Sequence, residues 1–196
     1  RANDKSGDAG NTEAYIAKFN SSGAVQWQYY LGGTYIDEFM SVAVDSNGAV
    51  VAVGASRTAL NTNGWLVTRW SSSGALDYVK RVSQSNSASI FARDVAIDSG
   101  NNMLVCGYRY LSEFTGILIK YNSSGAQQWA KDFGNGRLFA QGVAVDSDDN
   151  VFISFRFDSG SIGARDTVVF KLNSSGVQQW KKVLGTSSAD ELARDG

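Results

Sequence analysis

Short apolar runs recur along the chain, broken each time by clusters of Ser, Asn, Asp and Gly. In the first full cycle they are Phe39–Asp45, Ala49–Gly54, Trp65–Trp70 and Ala75–Val82, labelled A to D. They are rich in Val, Ile, Tyr, Phe and Trp, which suit a pleated surface. None is long enough, or spaced at 3.6 residues, to predict a helix. Met40-Ser41-Val42-Ala43-Val44 and Val50-Val51-Ala52-Val53 are apolar at nearly every position. A half-exposed strand alternates; these runs predict strands covered on both faces.

The polar breaks repeat. Gly23, Gly74, Gly125 and Gly176 stand 51 residues apart, each closing a Ser-Ser-Gly turn between C and D. The A–B turns are Asp45-Ser46-Asn47-Gly48, Asp98-Ser99-Gly100-Asn101-Asn102 and Asp146-Ser147-Asp148-Asp149-Asn150. Such residues supply local hydrogen bonds and positive φ for tight hairpins. A fixed period near 50 residues marks a repeat architecture. Four-stranded antiparallel units, each covered by its neighbours, predict an all-β β-propeller; an all-β solenoid is the alternative. The blades fall at residues 1–33 (partial), 34–83, 84–134, 135–185 and 186–196 (the start of another).

The unit Glu13-Ala14-Tyr15-Ile16-Ala17-Lys18-Phe19-Asn20, Gly23, Trp27, Leu31-Gly32-Gly33, Asp37-Glu38, Val42-Ala43-Val44-Asp45-Ser46-Asn47-Gly48, Val53-Gly54 resembles the SBBP-type β-propeller repeat. That family occurs in bacterial, archaeal and some viral surface proteins. The resemblance covers nearly the whole chain, and implies a propeller and an extracellular or cell- or virion-surface setting. It brings no shared catalytic residues. The stretch Ala17-x-Phe19-x-x-Ser22-Gly23-x-x-x-Trp27 is also similar to the tryptophan-docking motif of quinoprotein dehydrogenase propellers. That likeness implies that Trp27, Tyr78, Trp129 and Trp180 pack between neighbouring blades. The adjacent-cysteine pair of the quinoproteins is missing here.

Asp190-Glu191 repeats Asp37-Glu38 at three periods, and Ala193-Arg194-Asp195 repeats Ala92-Arg93-Asp94. The expectation is three whole blades plus strands C and D of a preceding one. The remaining blades would come from a longer chain or from another copy.

Composition narrows the chemistry. The net charge is -1, with basic residues evenly spread, so no nucleic-acid partner is expected. No apolar run approaches 18 residues, so no helical membrane span is predicted. Histidine is absent, which removes the commonest general base and metal ligand. Cys106, the only cysteine, lies in an apolar run and is expected to be a buried small hydrophobe. No cofactor is expected. The one candidate metal set, suited to calcium, is Asp146, Asp148 and Asn150, but it lacks the bidentate Glu and twelve-residue frame. A hairpin turn is the better reading. Three turns also match the glycosylation sequon at Asn20, Asn122 and Asn173, where Asn-Ser is expected for turn geometry alone.

In a meander, A–B and C–D turns share one end and the B–C and D–A loops the other. The first set is nearly invariant between copies; the second varies. Function concentrates on loops carried by a rigid scaffold. The candidate ligand residues are therefore Tyr35, Asp37, Glu38, Arg57, Tyr108, Arg109, Tyr110, Arg137, Arg156 and Asp158. Arg57, Arg109 and Arg156, one at the start of each B–C loop, suggest a partial basic ring for carboxylates or phosphates. The tyrosines suit stacking on sugars. Lys18, Arg69, Lys120 and Lys171, each five before the turn Gly, read as structural, an inter-blade contact.

These observations predict a non-catalytic binding or structural module of a surface assembly, engaging a glycan or protein through the variable loops. One alternative is a polysaccharide hydrolase or lyase using Asp37, Glu38 and Asp158. Another is an assembly element joined through open blade edges.

Overall fold

A computed structural model describes residues 12–32, 35–58, 62–82, 89–110, 112–135, 137–158 and 165–185. The chain ends 1–11 and 186–196, with their repeat motifs, lie outside the described residues. So do parts of the B–C and D–A loops.

Every described element is a strand. They are β1 (Ala14–Phe19), β2 (Val25–Leu31), β3 (Asp37–Val44), β4 (Val50–Thr58), β5 (Thr62–Trp70), β6 (Leu76–Val82) and β7 (Ser89–Ile97). The rest are β8 (Met103–Tyr110), β9 (Phe114–Tyr121), β10 (Gln127–Asn135), β11 (Leu138–Val145), β12 (Val151–Asp158), β13 (Arg165–Leu172) and β14 (Gln178–Leu184). β1 and β2 form a two-stranded sheet; β3–β6, β7–β10 and β11–β14 form three four-stranded meanders. The chain divides into two compact units, residues 1–91 and 92–196.

One turn geometry closes seven hairpins. In the A–B turns the Oδ1 of Asp45, Asp98 or Asp146 accepts the backbone N–H groups two and four residues on, at 2.8–3.0 Å. In the C–D turns the Oδ1 of Asn20, Asn122 or Asn173 does the same, and Ser71 Oγ accepts from Ala75 N–H. The fourth residue of each turn has positive φ: Gly48, Asn101 and Asp149 in one set, Gly23, Gly74, Gly125 and Gly176 in the other. Asn and Asp tolerate the left-handed region better than other side chains, so they replace Gly there.

A register shift follows each C–D turn, between Lys18/Phe19, Arg69/Trp70, Gln127/Trp129 and Lys171/Leu172. The bulge sets a basic residue of C directly across from an aromatic of D: Lys18↔Trp27, Arg69↔Tyr78, Lys120↔Trp129 and Lys171↔Trp180.

In the first unit Val51, Val53, Trp65, Leu66 and Trp70 are buried at 0–1% exposure. In the second, Leu104, Cys106 and Leu118 of one sheet pack with Ile153, Phe155, Val168 and Leu172 of the next. Val50–Val53 of β4 are buried on both faces, as their continuous apolar run predicts. β3 departs from that expectation: its residues alternate, and Met40, Val42 and Val44 on one face are 41–61% exposed, so the Met40–Val44 run is covered on one face only.

Strands B and C are longer than the apolar runs suggested. β4 and β5 pair out to Thr58↔Thr62, β8 and β9 to Tyr110↔Phe114, and β12 and β13 to Asp158↔Arg165. Arg57, Tyr108, Arg109, Tyr110, Arg156 and Asp158 are thus strand-end residues, not loop residues. Their polar side chains hid strand positions that hydrogen-bond like any other.

Candidate functional site

Strand alternation decides where the three B–C arginines point. Counted from the Asp of the preceding turn, Arg57 and Arg156 stand at even offsets and Arg109 at an odd one. Their strands pair with C without register shifts, so Arg109 occupies the opposite sheet face. It turns back along its own sheet to Asp132 at 3.1 Å. Arg57 donates its backbone N–H to Ile36 O at 2.8 Å. The three therefore do not share one face; a period count sees recurrence but not parity.

Tyr108 and Tyr110 share the other face of β8, and there an aromatic cluster forms. Phe114, directly across from Tyr110, lies 4.5 Å from it between ring centroids. Phe139 of β11 approaches Phe114 at 4.3 Å and Tyr108 at 5.3 Å. The Arg156 guanidinium sits 4.5 Å above the Phe139 ring, a cation–π contact, and its Nε is buried without a hydrogen-bond partner. Tyr110 is 44% exposed and forms the outer surface of the cluster. Two residues before Phe139 in the chain, Arg137 is exposed at φ 51°, and its carbonyl accepts from Asp158 N–H at 3.3 Å. Phe114 and Phe139 escaped the sequence reading. Folding the Tyr110–Phe114 hairpin on paper would have found the first; the second needs the neighbouring sheet.

In the first unit the candidate residues separate. Tyr35 is 40% exposed. Asp37 is buried at 2% exposure, with its N–H on Thr12 O and Arg81 3.6 Å from Oδ1. Arg81 also donates to Ser56 Oγ at 2.9 Å. Glu38, exposed, is on the opposite face of β3. Adjacent strand residues diverge, so Asp37 and Glu38 do not form a facing pair of carboxyls.

The Asp146 turn has its carboxylate filled by donors. Oδ1 takes the N–H groups of Asp148 and Asn150, Asn150 Nδ2 reaches both oxygens, and Lys171 lies 3.9 Å from Oδ2. The Asn150 hydrogen bond leads the effects that hold this carboxyl below the usual carboxylate range. Its lone pairs serve the hairpin rather than face a shared point with Asp148. Among the described residues no group of three or more His, Cys, Asp or Glu is gathered for a metal.

The recurrent basic residues of strand C do two jobs. Within a sheet they meet the Asp of the A–B turn: Arg69 with Asp45 at 2.7 Å, Lys120 with Asp98 at 2.7 Å. Burial acts to raise the Asp45 and Asp98 carboxyls, but the hydrogen bonds from Arg69 and Lys120 and from the turn amides hold both low. Between sheets, Lys18 Nζ donates to Ser72 O at 3.1 Å and Lys120 Nζ to Ser174 O at 3.3 Å. Beside these bonds lie the indoles. A Cβ on Gly74 would stand 2.6 Å from the Trp27 ring, and one on Gly176 3.2 Å from Trp129. Tyr29 OH adds a bond to Gly74 O at 2.6 Å. Tyr78, across from Arg69, is partly buried, and burial pushes its phenol up to about 12 against the Arg69 charge. Trp180, 38% exposed, meets Phe152 of its own sheet.

The chain is an all-β protein of repeated antiparallel sheets. No protein-family model matches it, and no curated protein matches it significantly. Among solved structures, the crystal structure of a eukaryotic initiation factor is similar, with TM-score 0.50 at 8% identity over 88% of this chain and 43% of that one. This chain thus spans less than half of that structure's length, and the likeness carries over fold alone. Among the described residues no helix is long and apolar enough to cross a membrane.

Proposed function

We propose that this protein is a non-catalytic binding module of β-propeller type, working in an extracellular or cell- or virion-surface assembly and engaging a glycan at the B–C end of its second unit. The observation that carries the reading is the exposed Tyr110 ring backed by Phe114, with Tyr108, Phe139 and Arg156 behind it. A rigid aromatic face stacks on the apolar face of a pyranose, and the exposed Arg137, two residues before Phe139 in the chain, offers hydrogen-bond donors for its hydroxyls. The repeated sheets, the indole contacts between neighbours and the sequence resemblance support the propeller.

The test is a panel of soluble oligosaccharides titrated by calorimetry against the wild-type chain and Tyr110→Ala. Binding is expected to weaken at least about tenfold on losing a central aromatic anchor, with unfolding temperature little changed because the ring is exposed. No binding to any glycan, or binding indifferent to Tyr110→Ala and Arg137→Ala together, removes this site. Turnover of a polysaccharide removes the non-catalytic reading.

A further inference from the structure

We infer that the C-terminal sheet docks, through the Lys171–Trp180 pair, on the Asn20–Gly23 turn of a second copy of this chain. This goes beyond glycan binding and rests on different residues. Three Lys–Trp cross-strand pairs exist, and two already show what such a pair fits. Lys18 and Trp27 sit on the Ser71–Gly74 turn; Lys120 and Trp129 sit on the Asn173–Gly176 turn. In both, the ammonium donates to the carbonyl two residues before the glycine, and the indole lies against the glycine.

The third pair has no such turn beneath it among the described residues. Trp180 is 38% exposed. Leu184 is 59% exposed, whereas Phe133, one period earlier, is 7% exposed and packs on Phe155 and Phe170 of the next sheet. The matching receptor lies at the other end. Gly23, at φ 80°, has no described atom within 4 Å of where a Cβ would stand, unlike Gly74 and Gly176. Phe19 is 55% exposed, whereas Trp70, Tyr121 and Leu172 at the same repeat position are 0–1% exposed. Ser21 O occupies the place of the two lysine-bound carbonyls. Among the described residues, one chain thus carries a knob and a seat of the same pattern, each without its complement. The complement of each is present on every other copy. Such a contact is heterologous, running head to tail.

The experiment is sedimentation velocity on the full chain across a wide concentration range, with Trp180→Ala and Gly23→Ala, alone and mixed. Wild type is expected to self-associate. Trp180→Ala removes the knob and Gly23→Ala fills the seat, so each alone is expected to associate at least about tenfold more weakly. Mixed, the two variants are expected to recover a one-to-one dimer, because each keeps the half the other lost. Circular dichroism checks that both fold. A wild-type monomer overturns the proposal, whether acrylamide reaches Trp180 or the indole is shielded by some other cover. Association that survives both substitutions overturns it equally.

Discussion

The A–B aspartates tie stability to pH. Asp45, Asp98 and Asp146 all have carboxyls held below the ordinary value in the fold. A depressed carboxylate stabilises the native state above its unfolded pKa of about 3.9, and the contribution is lost as pH falls through the lower folded values. Urea midpoints are therefore expected to hold steady from neutral pH to about pH 5, then drop below about pH 4. Replacing all three by Asn keeps the side-chain oxygen that caps the turn but removes the titration. The acid-induced fall in the midpoint should shrink in that variant. An unchanged acid profile would show that other carboxylates govern it. Asn at the equivalent C–D positions already makes the same turn, so the hairpins themselves should survive.

Two glycines of equal backbone conformation separate strain from packing. Gly23 and Gly74 have φ of 80° and 89°, but only Gly74 lies under an indole. Gly23→Ala should cost about 1–2 kcal/mol, the left-handed penalty alone. Gly74→Ala should cost more, about 3 kcal/mol, because Trp27 stacks on Trp70 and its ring must lift from the neighbouring sheet. Equal losses in urea unfolding, measured in dilute monomeric protein, would show that the indole contact contributes nothing. Much of this level was legible in the sequence: the four-strand cycle and the turn residues follow from local physics, and the Gly–Trp contact from the resemblance to the tryptophan-docking motif. What was not legible is parity. Arg57, Arg109 and Arg156 recur by eye, yet one residue of difference in strand position puts Arg109 on the other face, beside Asp132. The aromatic cluster escaped for a related reason. Tyr110 and Phe114 are joined by a hairpin, but Phe139 arrives from a sheet some 25 residues further along the chain, and long-range contacts leave no local pattern.

At the scale of the whole molecule, Cys106 is a built-in reporter. It is fully buried between the sheets of the second unit, and burial pushes its thiol up, out of reach of ordinary labelling. Being the only cysteine, it signals without background. Thiol labelling at mildly alkaline pH is expected to be negligible in native buffer and to rise with urea along the unfolding curve of the second unit. Fast labelling of the native protein would contradict the packing of β8. Trp27, Trp65 and Trp70 lie in the first unit and Trp129 and Trp180 in the second. Fluorescence therefore reports both units and the thiol one, so the two signals diverge if the units unfold separately.

The shared turn makes every four-stranded sheet a tandem of two hairpins cut from one template. The two loops of a sheet are distinguished by charge more than by shape. Asp stands where a Lys or Arg of strand C in the same sheet meets the turn's own side chain, and a neutral Asn or Ser heads the turns whose backbone carbonyl takes the lysine of the neighbouring sheet. A designer can therefore treat the loop as an interchangeable cassette and write the identity of each hairpin with a single carboxyl-for-amide exchange.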